Sequence, residues 1–254
     1  MNIKNVILSF LAKYTRELAR YSKEPSNELN VLRMAVHDRL ARDSEPFFFV
    51  QIGANDGCRA DPIRSIVLRH HLSGLLVEPL PDMFESLQQN YADCPNVLFE
   101  NAAIGKTAGT LALTRVKADA KVPDSMHGMA TFDENKLSKI VKKLGAGDCL
   151  ENVDVPMLKF ADLADKYSFE KIDLLVIDTE GYDLVVLESV FDAGFKPVII
   201  NIEVVGLSYD DRLKTKSLLT NMGYRFTDAG DDVVAALFPL YSDGSPSDYS
   251  ILNR

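Results

Sequence analysis

"FFFVQIGANDGCRADP", residues 47–62, is an apolar run that breaks abruptly into glycine, asparagine, aspartate and glycine. Phe47, Phe48, Phe49, Val50 and Ile52 are aromatic or β-branched, the pattern of a short strand covered on both faces. Gly53 and Gly57 bracket Ala54, Asn55 and Asp56, so the chain can turn sharply there and a ligand can approach its backbone. A strand that only needs a turn before its helix would read the same way. The residues beyond Pro62 decide between the two.

Outward from this stretch the chain alternates strand and helix. "SGLLVEPL" (73–80) is a second apolar run, and "PDMFESLQQNY" (81–91) opens with Pro81 and Asp82 as a helix start. "NVLFENAAIG" (96–105) reads as a third strand, and "TLALTRV" (110–116) as a fourth, shorter and more exposed one. After a polar stretch, "IDLLVIDTEGYD" (172–183) leads into a helix through "LVVLESVFDAG", stopped by Gly194. "KPVIINIEVVG" is another buried strand, "DDRLKTKSLLTNMG" a helix and "VVAALF" a late strand. Regular alternation predicts an α/β fold with a doubly wound, mostly parallel sheet over residues 46–254.

With 254 residues, 46% of them hydrophobic, the chain can bury one such core. A net charge of −9 argues against a broad nucleic-acid surface. Cys58, Cys94 and Cys149 are scattered and odd in number, which suits a reducing, cytoplasmic setting and offers no metal spacing. Ile3, Ile7, Phe10, Tyr14, Leu18 and Tyr21 recur at helical steps with Lys4, Lys13, Arg16 and Arg20 between them. Residues 1–45 therefore read as a helical extension that packs on the domain or a second copy, or lies on a membrane surface. Lys13 cuts the apolar region short of a signal peptide, and no apolar segment is long enough to span a bilayer.

In doubly wound sheets, ligands bind beyond the carboxyl ends of the strands. That rule selects Gly53 to Gly57, Glu78, Asn101, Asp178 to Asp183 and Glu203, and it puts His70 and His71 at the opposite edge. Glu78 ends the second strand ~20 to 25 positions past the glycine turn, where a carboxylate can accept both hydroxyls of a ribose. It also precedes a helix, where an anion is favoured in any case. The spacing alone does not separate a nicotinamide cofactor from S-adenosylmethionine. The turn does: a dinucleotide needs Gly-x-Gly-x-x-Gly at a helix N-terminus, whereas here Ala54-Asn55-Asp56 brings a negative charge.

"VQIGANDG", "LLVEPLPDMFESLQQN", "VLFENAAIG" and "IDLLVIDTEGYDLVVLESV" together resemble the FkbM family of S-adenosylmethionine-dependent methyltransferases over roughly residues 47–205. The resemblance implies a Rossmann-like, class I fold and O-methylation of a sugar, glycan or polyketide hydroxyl. It further implies that Gly53, Asn55 and Gly57, with Asp56 beside them, line the methionine part of the cofactor. Glu78, with Pro79 following, would hold the ribose; Asn101 and Ala102 would border the adenine; and Asp178-Thr179-Glu180-Gly181 would face the transferred methyl. Gln51 departs from the family, which often has an acidic residue at that place in the first strand.

Asp178, Glu180, Glu203 and His127 are the candidate bases for an acceptor hydroxyl. Asp178 and Glu180 have a capping alternative, and His127 one as an ordinary loop residue. The same capping explanation covers Asp178, Glu180 and Asp183 without a metal, and metal-independent turnover is expected. More than sixty residues separate the third strand from "IDLLVID". Within them "KADAKVPDSMHGMATF" (117–132) lacks periodicity, and "DENKLSKIVKKLG" reads as a helix. Residues 117–150 are thus expected as a lid or acceptor-binding insertion, with His127 pointing inward. A nicotinamide-dependent oxidoreductase and a non-catalytic binding module of a glycan-assembly pathway are the competing readings.

Overall fold

The computed structural model describes residues 31–42, 45–123, 126, 128–131, 134–143 and 149–237. Along the chain come α1 (Val31–Arg42), β1 (Phe48–Ile52), α2 (Arg64–His70), β2 (Ser73–Val77), α3 (Pro81–Asn90), β3 (Val97–Glu100), β4 (Ala103–Gly105) and β5 (Gly109–Val116). They are followed by β6 (Ala130–Thr131), α4 (Glu134–Lys143), β7 (Leu150–Lys159), α5 (Phe160–Tyr167), β8 (Leu174–Ile177) and α6 (Asp183–Asp192). The last elements are β9 (Ile199–Glu203), α7 (Tyr209–Asn221), β10 (Tyr224–Ala229) and β11 (Asp232–Leu237).

The larger sheet has seven strands in the order β10-β11-β9-β8-β1-β2-β3. From β9 to β3 all neighbours are parallel, with Val50 flanked by Leu75 and Leu175. Only β11 runs antiparallel, to β9 on one side and β10 on the other. The order reverses between β1 and β8, the switch point beyond whose strand ends ligands bind. Both faces of the sheet are covered, which is why its central strands read as unbroken apolar runs. On one face Val50, Ile52, Leu175 and Ile177 pack with Phe160 of α5, Leu187 of α6 and Leu219 of α7. On the other, Phe49, Leu76 and Val176 pack with Val36 of α1, Ile66 of α2 and Leu87 of α3.

Three features differ from or add to the sequence reading. The compact unit takes in α1, ahead of residue 46. Leu32 and Val36 are buried in the main core, and Arg39 donates to Asp173 at 2.6 Å, so α1 belongs to the domain. "NVLFENAAIG" is two strands in two sheets, because the side chain of Asn101 donates to the carbonyls of Glu78 and Pro79 and diverts the chain. The third difference is a second, four-stranded sheet in the order β4-β7-β5-β6. Within it, β5 is longer than expected and pairs along its whole length with β7, a strand the sequence did not announce. The remainder of the N-terminal extension lies outside the described residues. Among those described, no helix is long and apolar enough to cross a membrane.

Candidate functional site

A cavity of about 460 Å³ opens at the switch point, walled by the ends of β1, β2 and β8 and by the smaller sheet. Its floor explains the first glycine. Gly53 has φ +84°, and a Cβ there would stand 1.7 Å from the carbonyl oxygen of Asp178. Both the backbone conformation and the close approach therefore require glycine. The amides of Gly53 and Ala54 donate to the carbonyl of Val77 at 2.9 and 3.0 Å, which ties the turn to the end of β2.

Glu78 is the next residue after that strand. Its Oε2 accepts the amide of Asn55 at 2.8 Å and its Oε1 accepts that of Leu80 at 2.9 Å. The residue is buried, and this desolvation pushes its pKa up to about 7 against the pull of the two amides. Each carboxylate oxygen, holding one donor, keeps a second acceptor position. Asp178 also stands at about 7, raised first by burial and then by Glu180, Asp183, Asp232 and Glu78. Asp178 keeps accessible surface and lines the cavity, and no described residue donates a hydrogen bond to its carboxylate.

Asp183, fully buried at the start of α6, organises the loop that carries Asp178 and Glu180. Its Oδ1 accepts the amide of Thr179 at 2.7 Å and its hydroxyl at 3.0 Å, and its Oδ2 accepts the amide of Gly181 at 3.0 Å. The helix-start alternative offered for Asp178, Glu180 and Asp183 is met by Asp183. Glu180 is held at φ +55°, a left-handed conformation uncommon outside glycine, and its carbonyl accepts the Thr131 hydroxyl at 3.2 Å.

Of the residues singled out from the sequence, Gly53, Asn55, Glu78, Pro79, Ala102, Asp178 and Glu180 line the cavity. Asp56, Gly57, Asn101 and Glu203 do not. Asp56 accepts the amides of Cys58 and Arg59 and pairs with the Arg59 guanidinium at 2.6 Å. Gly57 packs closely on Leu87 of α3 and on Tyr91 just after it, and Asn101 holds the chain after β2. His127 lies outside the described residues. Its neighbours Gly128, Met129 and Ala130 do line the cavity, and a Cβ on Gly128 would come within 2.8 Å of the Asn55 side chain.

One lining residue was read only as a departure. Gln51, 2% exposed in the middle of β1, has an Oε1 with no hydrogen-bond partner among the described residues. A lone amide inside an apolar strand is the signal that marks it, since a buried acceptor left unpaired is costly. The turn after β1 does not open a helix: α2 starts only at Arg64, behind the cap residue Ile63. A pyrophosphate would find no helix N-terminus at Gly53–Gly57.

The chain matches the model of the methyltransferase FkbM domain over residues 51–226, more than half of its length. None of the curated proteins compared matches it. Among solved structures it is similar to a methyltransferase FkbM from Methylobacillus flagellatus KT, at 14% identity and a TM-score of 0.48 over 77% of this chain and 44% of that one. It thus spans less than half the length of that protein. A precorrin-6y C5,15-methyltransferase from Geobacter metallireducens GS-15 aligns at 12% identity and a TM-score of 0.42, over 84% of this chain and 90% of that one. A ribosomal protein L11 methylase from Lactobacillus delbrueckii subsp. bulgaricus aligns at 14% and 0.37, over 84% and 80%. The family match carries the assignment: the chain belongs to the FkbM methyltransferase domain family, S-adenosylmethionine-dependent methyltransferases of Rossmann-like, class I fold.

Proposed function

We propose that the switch-point cavity binds S-adenosylmethionine and that the protein methylates a hydroxyl of an uncharged acceptor of the sugar, glycan or polyketide class. The observation that carries this reading is Glu78, a buried carboxylate with one vacant acceptor position on each oxygen, at the wall of a cavity of about 460 Å³. Cofactor sites fall in this size range.

The residues present fit the cofactor. Glu78 accepts from the two ribose hydroxyls. Gln51 Oε1, which lacks a partner among the described residues, accepts from the ammonium of the methionine part. Gly53 lets the backbone pass close beneath it, and Pro79 and Ala102 border the base. When bound, the cofactor supplies a methyl group on a sulfonium, open to in-line displacement. Asp178 would take the proton of the acceptor hydroxyl, and a carboxylate poised near neutral pH suits this task. Glu180 and the Gly128–Ala130 wall hold the acceptor in line and exclude water.

The charge of the cavity limits the acceptor. Glu78, Asp178 and Glu180 are acidic, and Arg59, the cation among the lining residues, already pairs with Asp56. An acceptor bearing phosphate or carboxylate would meet like charge. Calorimetric titration should detect S-adenosylmethionine binding, and a methyl-transfer assay should release S-adenosylhomocysteine with neutral glycosides but not with their phosphate esters. Absence of cofactor binding sinks the whole reading, whereas turnover confined to phosphorylated acceptors sinks only the charge argument.

A further inference from the structure

The side chain of Arg115 is 5% exposed, on a strand of the smaller sheet and on the same face as Leu111 and Leu113. Its guanidinium makes a bidentate pair with Asp82, the second residue of α3: Nη1 to Oδ1, and Nη2 to Oδ2 at 2.8 Å. Its Nε donates to the carbonyl of Val116 at 3.0 Å and lies 3.7 Å from Glu151. Two residues before Asp82 is Leu80, whose amide is one of the two donors to Glu78. Across the β5–β6 ladder the partner of Arg115 is Ala130, a cavity-lining residue. One buried cation therefore ties the outer wall of the cavity to the first turn of the helix after Glu78. A planar guanidinium facing a carboxylate in this way fixes distance and angle together.

We infer that Arg115 is a positioning residue for cofactor binding: through Asp82 it sets the placement of Glu78, by its own charge it acts on that carboxylate, and it holds the smaller sheet against both. This inference rests on the S-adenosylmethionine reading only for the ligand that Glu78 serves. The charges acting on Glu78 are Asp82 from α3, Arg115 from β5 and Asp178 beyond β8. Arg115 favours the ionised form of Glu78, and Asp82 disfavours it. The two halves of the pair thus contribute alike to packing and oppositely to Glu78. A merely structural clamp would behave alike in both respects.

The test compares wild type with Arg115→Met, Arg115→Lys and Asp82→Asn, reading the titration of the Glu78 carboxyl by carbon-13 NMR in the ligand-free protein and S-adenosylmethionine affinity by calorimetry. Arg115→Met should move the Glu78 midpoint up, Asp82→Asn should move it down, and Arg115→Lys should restore most of the wild-type value. A rise of about one unit leaves about a tenth of Glu78 ionised at pH 7, weakening the cofactor ~5-fold. Asp82 is partly exposed at a helix start, so Asp82→Asn carries the test if Arg115→Met does not fold. Midpoints that move in the same direction, or not at all, overturn the inference. Opposite movements in a protein that binds no S-adenosylmethionine uphold the role of Arg115 and remove only the ligand assigned to Glu78.

Discussion

Gln51 shows how a single residue can trade stability for binding. Its Oε1 is buried without a partner among the described residues, a state that costs about 1–3 kcal/mol. Replacing it by methionine, of similar shape but with little to accept a hydrogen bond, removes that cost and removes an acceptor from the cavity. Gln51→Met is therefore expected to raise the melting temperature while weakening S-adenosylmethionine ~10-fold. A variant that melts higher and binds as well as wild type would take Gln51 out of the site. Asp178 offers the complementary case, because its proposed role lies mainly in turnover. Asp178→Asn should lower the methyl-transfer rate ~100-fold, far more than it weakens cofactor binding. In the wild type that rate should climb as pH rises through about 7, where Asp178 becomes ionised, and the variant should lose the climb. An unchanged pH profile in the variant assigns the proton to another group. Gln51 was visible in the sequence as one amide among apolar neighbours. The demotion of Asp56 was not, since only the fold shows its carboxylate already satisfied by Arg59 and two amides.

Elements were legible to the extent that the sheet buries them. β1, β2, β8 and β9 are covered on both faces and read as apolar runs without ambiguity. β7 is the longest strand among the described residues and pairs with β5 from Leu150 to Met157, yet Val155 is its one fully buried side chain and Pro156 stands within it. Neither alternation nor a run survives in such a segment, and with it the pairing that places β5 in a second sheet was hidden. α1 raises the converse problem, since a helical extension was expected there but its attachment was not fixed by the sequence. It is fixed by Asp173, whose Oδ1 accepts Arg39 at 2.6 Å and whose Oδ2 accepts the amide of Phe48 at 2.8 Å. Asp173→Ala would remove the acceptor shared by a largely buried guanidinium and a strand amide, so a loss of about 1–3 kcal/mol is expected in urea unfolding. The pair lies at the opposite end of β1 from the cavity, and S-adenosylmethionine affinity of the folded variant should hold. A loss under about 1 kcal/mol shows that the pair is screened like a surface ion pair.

At the scale of the whole molecule, the acidic balance of −9 becomes a statement about the site. Burial raises Glu78, Asp178, Asp61, Asp183 and Asp232, and the first two reach about 7. A carboxylate raised on folding contributes stability that is complete below its unfolded pKa and is lost as pH rises through the folded value. Glu78 and Asp178 therefore weaken the free protein progressively between about pH 4 and pH 8. Asp82 works the other way, since its pairing with Arg115 lowers its pKa, and its contribution is already complete near neutral pH. A cationic ligand whose hydroxyls donate to Glu78 stabilises the ionised forms, so it offsets this loss where the loss is greatest. The rise in melting temperature produced by a fixed, saturating concentration of S-adenosylmethionine should consequently grow from about pH 6 to pH 8 and level off above it. Glu78→Gln, which cannot ionise, should flatten the Glu78 share of that trend and cost about tenfold in affinity at pH 8, while Asp178 still contributes its own. Melting curves with and without ligand at three pH values decide the matter: an increment equal at pH 6 and pH 8 means that neither carboxylate changes its charge when the cofactor binds.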